Sequence, residues 1–322
     1  MSEDDLFDGA MAVWPGLRER AGLPEDGWSP QVLSRQHGRR YRRIVLLMER
    51  GEFRVVLKRQ IHPSEADVVE KAITSQLAAQ DVFPQSDDLR LARVLAFDRD
   101  TQASLTTWET GEILTEALSR PDADHRDLLR RTGRWASTFH RSLFRERRAF
   151  QPRYSLAYLD ELATEVRSGA RQVSRPNRFL KCVNRLHQLA PEFEGRETVS
   201  SMTHGDLHLR NIVIAPGSVS GIDFAGGNSA PVGHDLSRLL VDYATLFGAD
   251  APKGVILSAD TNAGFFEGYD LVGPDDPSVG FLIPMRILTD WIALPARPQD
   301  RRPAQKRRMQ GLKPLIDRVF DE

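Results

Sequence analysis

The stretch Thr203-His204-Gly205-Asp206-Leu207-His208-Leu209-Arg210-Asn211-Ile212-Val213-Ile214, followed by Gly221-Ile222-Asp223-Phe224, decides how the rest of the chain is read. It sets a carboxylate at 206, an amide at 211 and a second carboxylate at 223. Asp206 sits in a polar, glycine-containing loop ahead of the apolar run Ile212-Val213-Ile214, and Gly217 and Ser218 supply a turn into Val219-Ser220-Gly221-Ile222. The hairpin predicted there fixes Asn211 and Asp223 as neighbours. A hard cation such as Mg²⁺ takes oxygen donors and needs only one or two protein carboxylates beside phosphate oxygens and water. Asn211 and Asp223 meet that demand, which leaves Asp206 to orient or deprotonate an acceptor hydroxyl. Taken singly, each is as well explained as a turn cap or a strand end. Taken together and in this order, they are the groups that phosphoryl transfer requires.

Working outward, the chain before this stretch has two textures. Residues 1–27 begin acidic and then offer Met11, Val13, Trp14 and Leu17, predicting a helical appendage that Pro24 and Gly27 end. Gln31–Ser34, Arg43–Met48 and Phe53–Lys58 predict three antiparallel strands, with a turn at Arg50-Gly51-Glu52. A helix follows, N-capped by Ser64 and striped by Val69, Ile73 and Leu77. Leu91–Phe97 and Gln102–Trp108 complete a small sheet, and a lobe boundary is expected near Thr107 to Gly111.

Beyond it the pattern is helical. Leu128, Thr132, Trp135, Ala136, Phe139 and Leu143 mark one face, Phe179, Val183, Leu186 and Leu189 another, and Leu236, Leu239, Leu240, Tyr243, Leu246 and Phe247 a third. A basic, proline-containing linker is expected at Arg297 to Arg308. The fold class is therefore α+β: an N-terminal lobe over 1–107 and a mainly helical lobe over 108–322 that carries the loop.

His204, Gly205, Asp206, Leu207, His208, Asn211, Ile222, Asp223 and Phe224 together resemble the His-Gly-Asp-Leu-His, Asn, Ile-Asp-Phe motif of the aminoglycoside phosphotransferase and choline kinase family. The tight match covers residues 204–236 and a weaker one most of the chain. The resemblance implies a two-lobed protein-kinase-like fold, ATP (with GTP as the alternative) together with Mg²⁺, and phosphorylation of a small-molecule hydroxyl held in an acceptor pocket of the helical lobe. It implies Asp206 as the base and Asn211 and Asp223 as metal ligands. Lys58, ending Val55-Val56-Leu57, matches the strand lysine that contacts nucleotide phosphates, with Glu70 as its ion-pair partner and Glu65 as the alternative. Gly38, Trp108 and Glu109 are assigned to the nucleotide set, and His204, His208 and Asp235 to support of the loop. One departure is plain. Gln36-His37-Gly38-Arg39-Arg40 has a single glycine where a glycine-rich phosphate loop is expected. Arginines at 35, 39, 40, 42 and 43 crowd the same hairpin, as phosphate contacts or as a solvated face.

Bulk properties narrow the field. With 44 Lys and Arg against 45 Asp and Glu over 322 residues, the charge balance argues against a general nucleic-acid or membrane binder. A lone Cys182 cannot form an internal disulfide, and neither a leader nor a bilayer-spanning run is visible, so a cytoplasmic setting is expected. Three alternatives stay open: a metal-dependent phosphoesterase using His204 and His208, a protein kinase lacking the usual His-Arg-Asp, and a nucleotide-binding protein without transfer activity. The acceptor is undecided. Acidic residues between Asp242 and Asp276 would suit a polycation, and Tyr269 and Trp291 a choline-like aromatic cage.

Overall fold

The computed structural model describes residues 3–38, 42–61, 66–249, 251–252 and 254–320. Its elements begin with α1 (Glu3–Arg20), β1 (Ser29–His37), β2 (Arg42–Arg50), β3 (Phe53–Ile61), α2 (Ala66–Val82), β4 (Leu89–Leu91), β5 (Val94–Asp98), β6 (Ala103–Thr107) and β7 (Glu112–Ile113). There follow α3 (Leu114–Leu118), α4 (His125–Ser142), β8 (Phe144–Ala149), α5 (Arg153–Arg167), α6 (Pro176–Leu189) and β9 (Glu197–Met202). The chain ends with β10 (Ile212–Ala215), β11 (Ser218–Gly221), β12 (Ser229–Pro231), α7 (Gly233–Phe247), α8 (Ala259–Gly268), α9 (Pro277–Ala293) and α10 (Pro303–Phe320). It divides into two compact units. One comprises Met1–Leu114, His204–Asp206 and Asn211–Gly227, and the other Thr115–Thr203, Leu207–Arg210 and Asn228–Glu322.

In the first unit the described strands form an antiparallel sheet in the order β1-β2-β3-β6-β5. A two-residue turn, Gly51-Glu52, joins β2 to β3, and Gly51 adopts φ +58°, a conformation that glycine enters without the steric cost of a Cβ. That turn fixes the register, setting Val45 opposite Lys58 and Arg43 opposite Gln60. Directly opposed residues share a face and neighbours along a strand alternate. Ile44, Leu46, Met48 and Leu57 therefore point one way, Arg43, Val45, Lys58 and Gln60 the other.

Helix α1 covers the first of these faces. Leu6, Ala10, Trp14 and Leu17 recur at helical spacing and are buried in one cluster with Ile44, Leu46, Met48, Val55, Leu57 and Leu105. The expected appendage is thus a layer of the unit, because its apolar stripe has a sheet face to cover. In α2 the buried face runs through Val69, Ile73 and Gln76, whose amide donates to the Ala92 carbonyl at 2.7 Å, while Leu77 is 39% exposed. The Ser64 cap lies outside the described residues.

A smaller sheet, ordered β4-β11-β10-β7, completes this unit. The predicted hairpin is β10 with β11, antiparallel from Ile212 opposite Gly221 to Ala215 opposite Ser218. β4 joins β11 in parallel and β7 joins β10. The pairing of β7 is why this unit runs on to Leu114, past the Thr107 to Gly111 region.

The second unit is mainly helical. Asp124 caps α4 by accepting the Asp127 amide, and Leu129, Trp135, Ala136 and Phe139 form the buried stripe of that helix. In α7 the expected Leu236, Leu239, Leu240 and Tyr243 are buried. Arg297 to Arg308, expected as a linker, instead runs into α10, which Pro303 opens, since proline is well suited to a first helical turn. Arg308 consequently lies inside a helix and pairs with Asp242 and Asp290 at 2.6 Å each. No helix among the described residues is long and apolar enough to cross a membrane.

Candidate active site

His204 holds the turn that carries Asp206. Its buried ring donates from Nε2 to the Ile222 carbonyl, 3.0 Å away, and its Nδ1 accepts the Asp206 amide at 3.4 Å, the pattern of a neutral imidazole. The ring also stacks on Phe224 with centroids 4.2 Å apart, and the His204 carbonyl accepts the Ala225 amide at 3.2 Å. One side chain thereby joins the 204–206 turn to the 222–225 segment. Gly205, at φ +83°, makes the turn between them.

Asn211 lies at the end of a short 3-10 turn and is buried. Its Nδ2 donates to the Asp206 carbonyl at 2.9 Å and more weakly to the Asp223 carbonyl at 3.5 Å, while its own carbonyl accepts the Ile222 amide at 3.0 Å. With the amide nitrogen engaged, Oδ1 is the end left for a cation. Asp223 is half-buried at φ +58°, in the left-handed region that few non-glycine residues enter. Its Oδ1 accepts from the Lys58 ammonium and its Oδ2 lies 3.4 Å from Arg43 Nη1. Burial alone would raise the Asp223 carboxyl, but Lys58 first and then Arg43 outweigh it and hold the group below the ordinary carboxylate range. An amide oxygen and an ionised carboxylate, both from the hairpin ends, are the donor types that fit Mg²⁺.

The ammonium of Lys58 thus meets Asp223. The expected pair with Glu70 is not formed: Glu70 accepts from Arg99 Nε at 2.7 Å, and Asp67 from Arg99 Nη2 at 2.8 Å. Arg99 follows β5 directly and outcompetes the strand lysine for that helix face. Glu65 lies outside the described residues. Gly38 is exposed, and Trp108 is half-buried. Glu109 accepts from the Thr107 and Ser220 hydroxyls, 2.9 Å each. The structure therefore gathers Lys58, His204, Asp206, Asn211 and Asp223 in one compact unit, with Arg43, which the sequence alone does not single out among the five hairpin arginines.

Residues 207–210 belong to the other unit. There Leu207 and Leu209 are buried, the Leu209 amide donates to Asp242 at 3.2 Å, and His208 Nδ1 accepts the Arg210 amide at 3.2 Å. Asp235 accepts from His140 Nε2 at 3.1 Å, and His140 Nδ1 in turn lies 2.9 Å from the Tyr269 hydroxyl, all buried. Burial, and then Asp235, push the Tyr269 hydroxyl well above its ordinary range, so it stays protonated and donates. Tyr269 is core, as is Trp291, whose indole donates to Ser174 at 2.8 Å, so neither offers a ring face for an aromatic cage. The acidic segment is largely paired as well. Asp242 meets Arg308, Asp260 and Glu267 meet Arg126, Asp270 meets Arg141, and Asp276 caps α9.

A transition-metal phosphoesterase needs gathered His and carboxylate ligands. Both nitrogens of His204 are hydrogen-bonded within the loop, and no group of three or more His, Cys, Asp or Glu is assembled as a metal site among the described residues.

The architecture recurs in solved structures. A choline/ethanolamine kinase family protein from Mesorhizobium loti superposes with a TM-score of 0.60 at 14% identity, over 98% of this chain and 95% of the other. An ethanolamine kinase from Plasmodium vivax gives 0.56 at 13% identity, over 97% and 88%. The ternary complex of APH(2'')-IIa with streptomycin and ATP gives 0.56 at 11% identity, over 96% and 98%. The fold is protein-kinase-like, as expected. No curated protein matches the chain by sequence. The sequence profile of the phosphotransferase enzyme family, however, matches residues 23–275. The chain belongs to that phosphotransferase enzyme family.

Proposed function

We propose that this protein transfers the γ-phosphoryl group of ATP, with GTP as the alternative donor, to a hydroxyl of a small molecule. The observation that carries the proposal is the gathering of Lys58, Asp206, Asn211 and Asp223 in a single unit, their turn and hairpin joined by His204. The Asp206 carboxylate accepts the acceptor's hydroxyl proton. The freed oxygen forms a bond to the γ-phosphorus as the bond to the β–γ bridging oxygen breaks, and the nucleoside diphosphate leaves with that electron pair. Asn211 and Asp223 would hold Mg²⁺, which when bound would neutralise charge on the phosphate oxygens. Lys58 places its ammonium on those oxygens. The streptomycin–ATP complex and the AMP-PNP complex of amicoumacin kinase, both of the same fold, support a nucleotide donor and a small-molecule acceptor.

The acceptor is an alcohol whose class is open. Because Asp242, Asp260, Glu267 and Asp270 are each paired with arginine, an acceptor recognised solely by multivalent positive charge is disfavoured. The test is an ADP-release screen over aminoglycosides, choline-like alcohols, amino alcohols, sugars and nucleosides. Asp206→Asn should bind Mg-nucleotide as the parent does and lose transfer by about 10²–10⁴-fold. Full turnover by that variant on an identified acceptor sinks the base assignment. Nucleotide binding without transfer to any acceptor favours a binding protein of the same fold.

A further inference from the structure

We propose that Arg43 is a second phosphate-binding cation of the donor site, supplied by the β1–β2 hairpin where a glycine-rich loop is missing. The inference rests on the donor reading above and extends it to a residue outside the motif.

The β2–β3 register puts Arg43 and Lys58 on one face of the sheet as diagonal neighbours, and both heads converge on Asp223. Two cations there meet one carboxylate, and Asp206, the other carboxylate of the site, lies on the turn that His204 holds. Arg43 Nε is moreover buried without a hydrogen-bond partner among the described residues, and its Nη1 reaches Asp223 only at 3.4 Å. Buried donors seldom go without a partner, whether protein, ligand or ordered water, and a bound phosphate would supply one here. A guanidinium presents parallel N–H groups in a fork that matches two phosphate oxygens.

The other described arginines of the hairpin do not share this placement. Arg35 stands opposite Ile44 and Arg42 opposite Ile61, both on the face that α1 covers, and Arg42 acts electrostatically on Arg59. Alternation therefore selects one arginine of the three, the one that joins Lys58. When the polyphosphate binds, Lys58 and Arg43 exchange the Asp223 carboxylate for phosphate oxygens, which would free Asp223 to serve as a metal ligand. Without nucleotide the same two cations keep a half-buried carboxylate neutralised.

A residue that merely clamped Asp223 would not sense how many phosphates the ligand carries. Isothermal titration of the full chain with AMP, ADP and AMP-PNP, with and without Mg²⁺, separates the two roles. The parent should gain affinity with each added phosphate. Arg43→Met should keep the AMP affinity and lose roughly 10- to 100-fold of the gain from AMP to AMP-PNP, with Arg43→Lys recovering part of it. Lys58→Met should behave like Arg43→Met. If Arg43→Met retains the whole phosphate-dependent gain, Arg43 is a clamp and the proposal fails. A parent that binds none of the three nucleotides overturns this proposal and the donor reading with it. Circular dichroism confirms folding of each variant, and Arg43→Gln, which keeps hydrogen-bonding capacity without charge, replaces Arg43→Met should the latter not fold.

Discussion

Asp223 occupies a left-handed backbone conformation at φ +58°, where most side chains meet the following carbonyl. Asparagine tolerates this region at least as well as aspartate, whereas alanine does not. Asp223→Asn and Asp223→Ala both remove the charge that Lys58 and Arg43 share. The alanine variant should be the less stable of the two by about 1 kcal/mol in urea unfolding, with transfer lost in both. Equal stability of the pair would show that the backbone is not strained there. The residues of the loop were legible in the sequence because their geometry is short-range: His204, Asp206 and Asn211 are set by one turn, and Asp223 by one hairpin. The partner of Lys58 was not, since helix spacing offers Glu70 as a neighbour without revealing that Arg99 takes it. Arg43 was within reach of sequence reasoning. The two-residue turn at Gly51-Glu52 sets the β2–β3 register, and with it the shared face of Arg43 and Lys58.

Among the elements, α1 differs most from expectation. Its stripe of Leu6, Ala10, Trp14 and Leu17 is readable, but periodicity alone does not say which sheet receives it. The end of the helix is tied down by Arg20, whose Nη2 lies 3.2 Å from Asp98 at the end of β5. Asp98 Oδ1 also accepts the Asp100 and Thr101 amides at 3.0 and 3.1 Å, a local turn that closes β5 before β6. The Thr101 amide first, and then Arg20, hold the Asp98 carboxyl below its ordinary range although burial opposes them. A lowered carboxyl pKa contributes stability that is fully present above the unfolded value of about 3.9 and is lost as pH falls through the folded value. Asp98→Asn should therefore cost about 1 kcal/mol at neutral pH, and in thermal unfolding the gap to the parent should narrow as pH falls below about 4 and close below the folded value. A gap that persists at low pH would mean that packing, not the carboxylate, is what the substitution disturbs. Helix α10 carries the same lesson from the other side. Its basic, proline-bearing start reads as a linker, and the pairing of Arg308 with Asp242 and Asp290 shows one of those charges built into the packing of a helix.

At the scale of the molecule, the two units are compact but not consecutive. The first takes Met1–Leu114 and then waits for His204–Asp206 and Asn211–Gly227. A sequence scan places one boundary because composition changes once. It does not register that β4 and β7 find their partners, β11 and β10, only after a long excursion. A fragment ending at Leu114 should retain β1–β3, β5 and β6 as strands yet leave β4 and β7 unpaired. It should unfold with lower cooperativity than the intact chain and bind nucleotide more weakly, measured by urea titration and calorimetry. A fragment as stable as the whole would show that the returning hairpin adds nothing to that unit.

The returning hairpin also sets a schedule for biosynthesis. Between Leu114 and Gly227 lie about 110 residues, which a ribosome adding ~5–20 residues per second takes roughly 6–20 s to deliver. During that interval a sheet formed from β1–β3 would carry Lys58 and Arg43 on one face before the carboxylate that both meet, Asp223, has been translated. A first unit that folds as it is made would wait seconds for its last strands, and the return of residues 204–227 is what completes it.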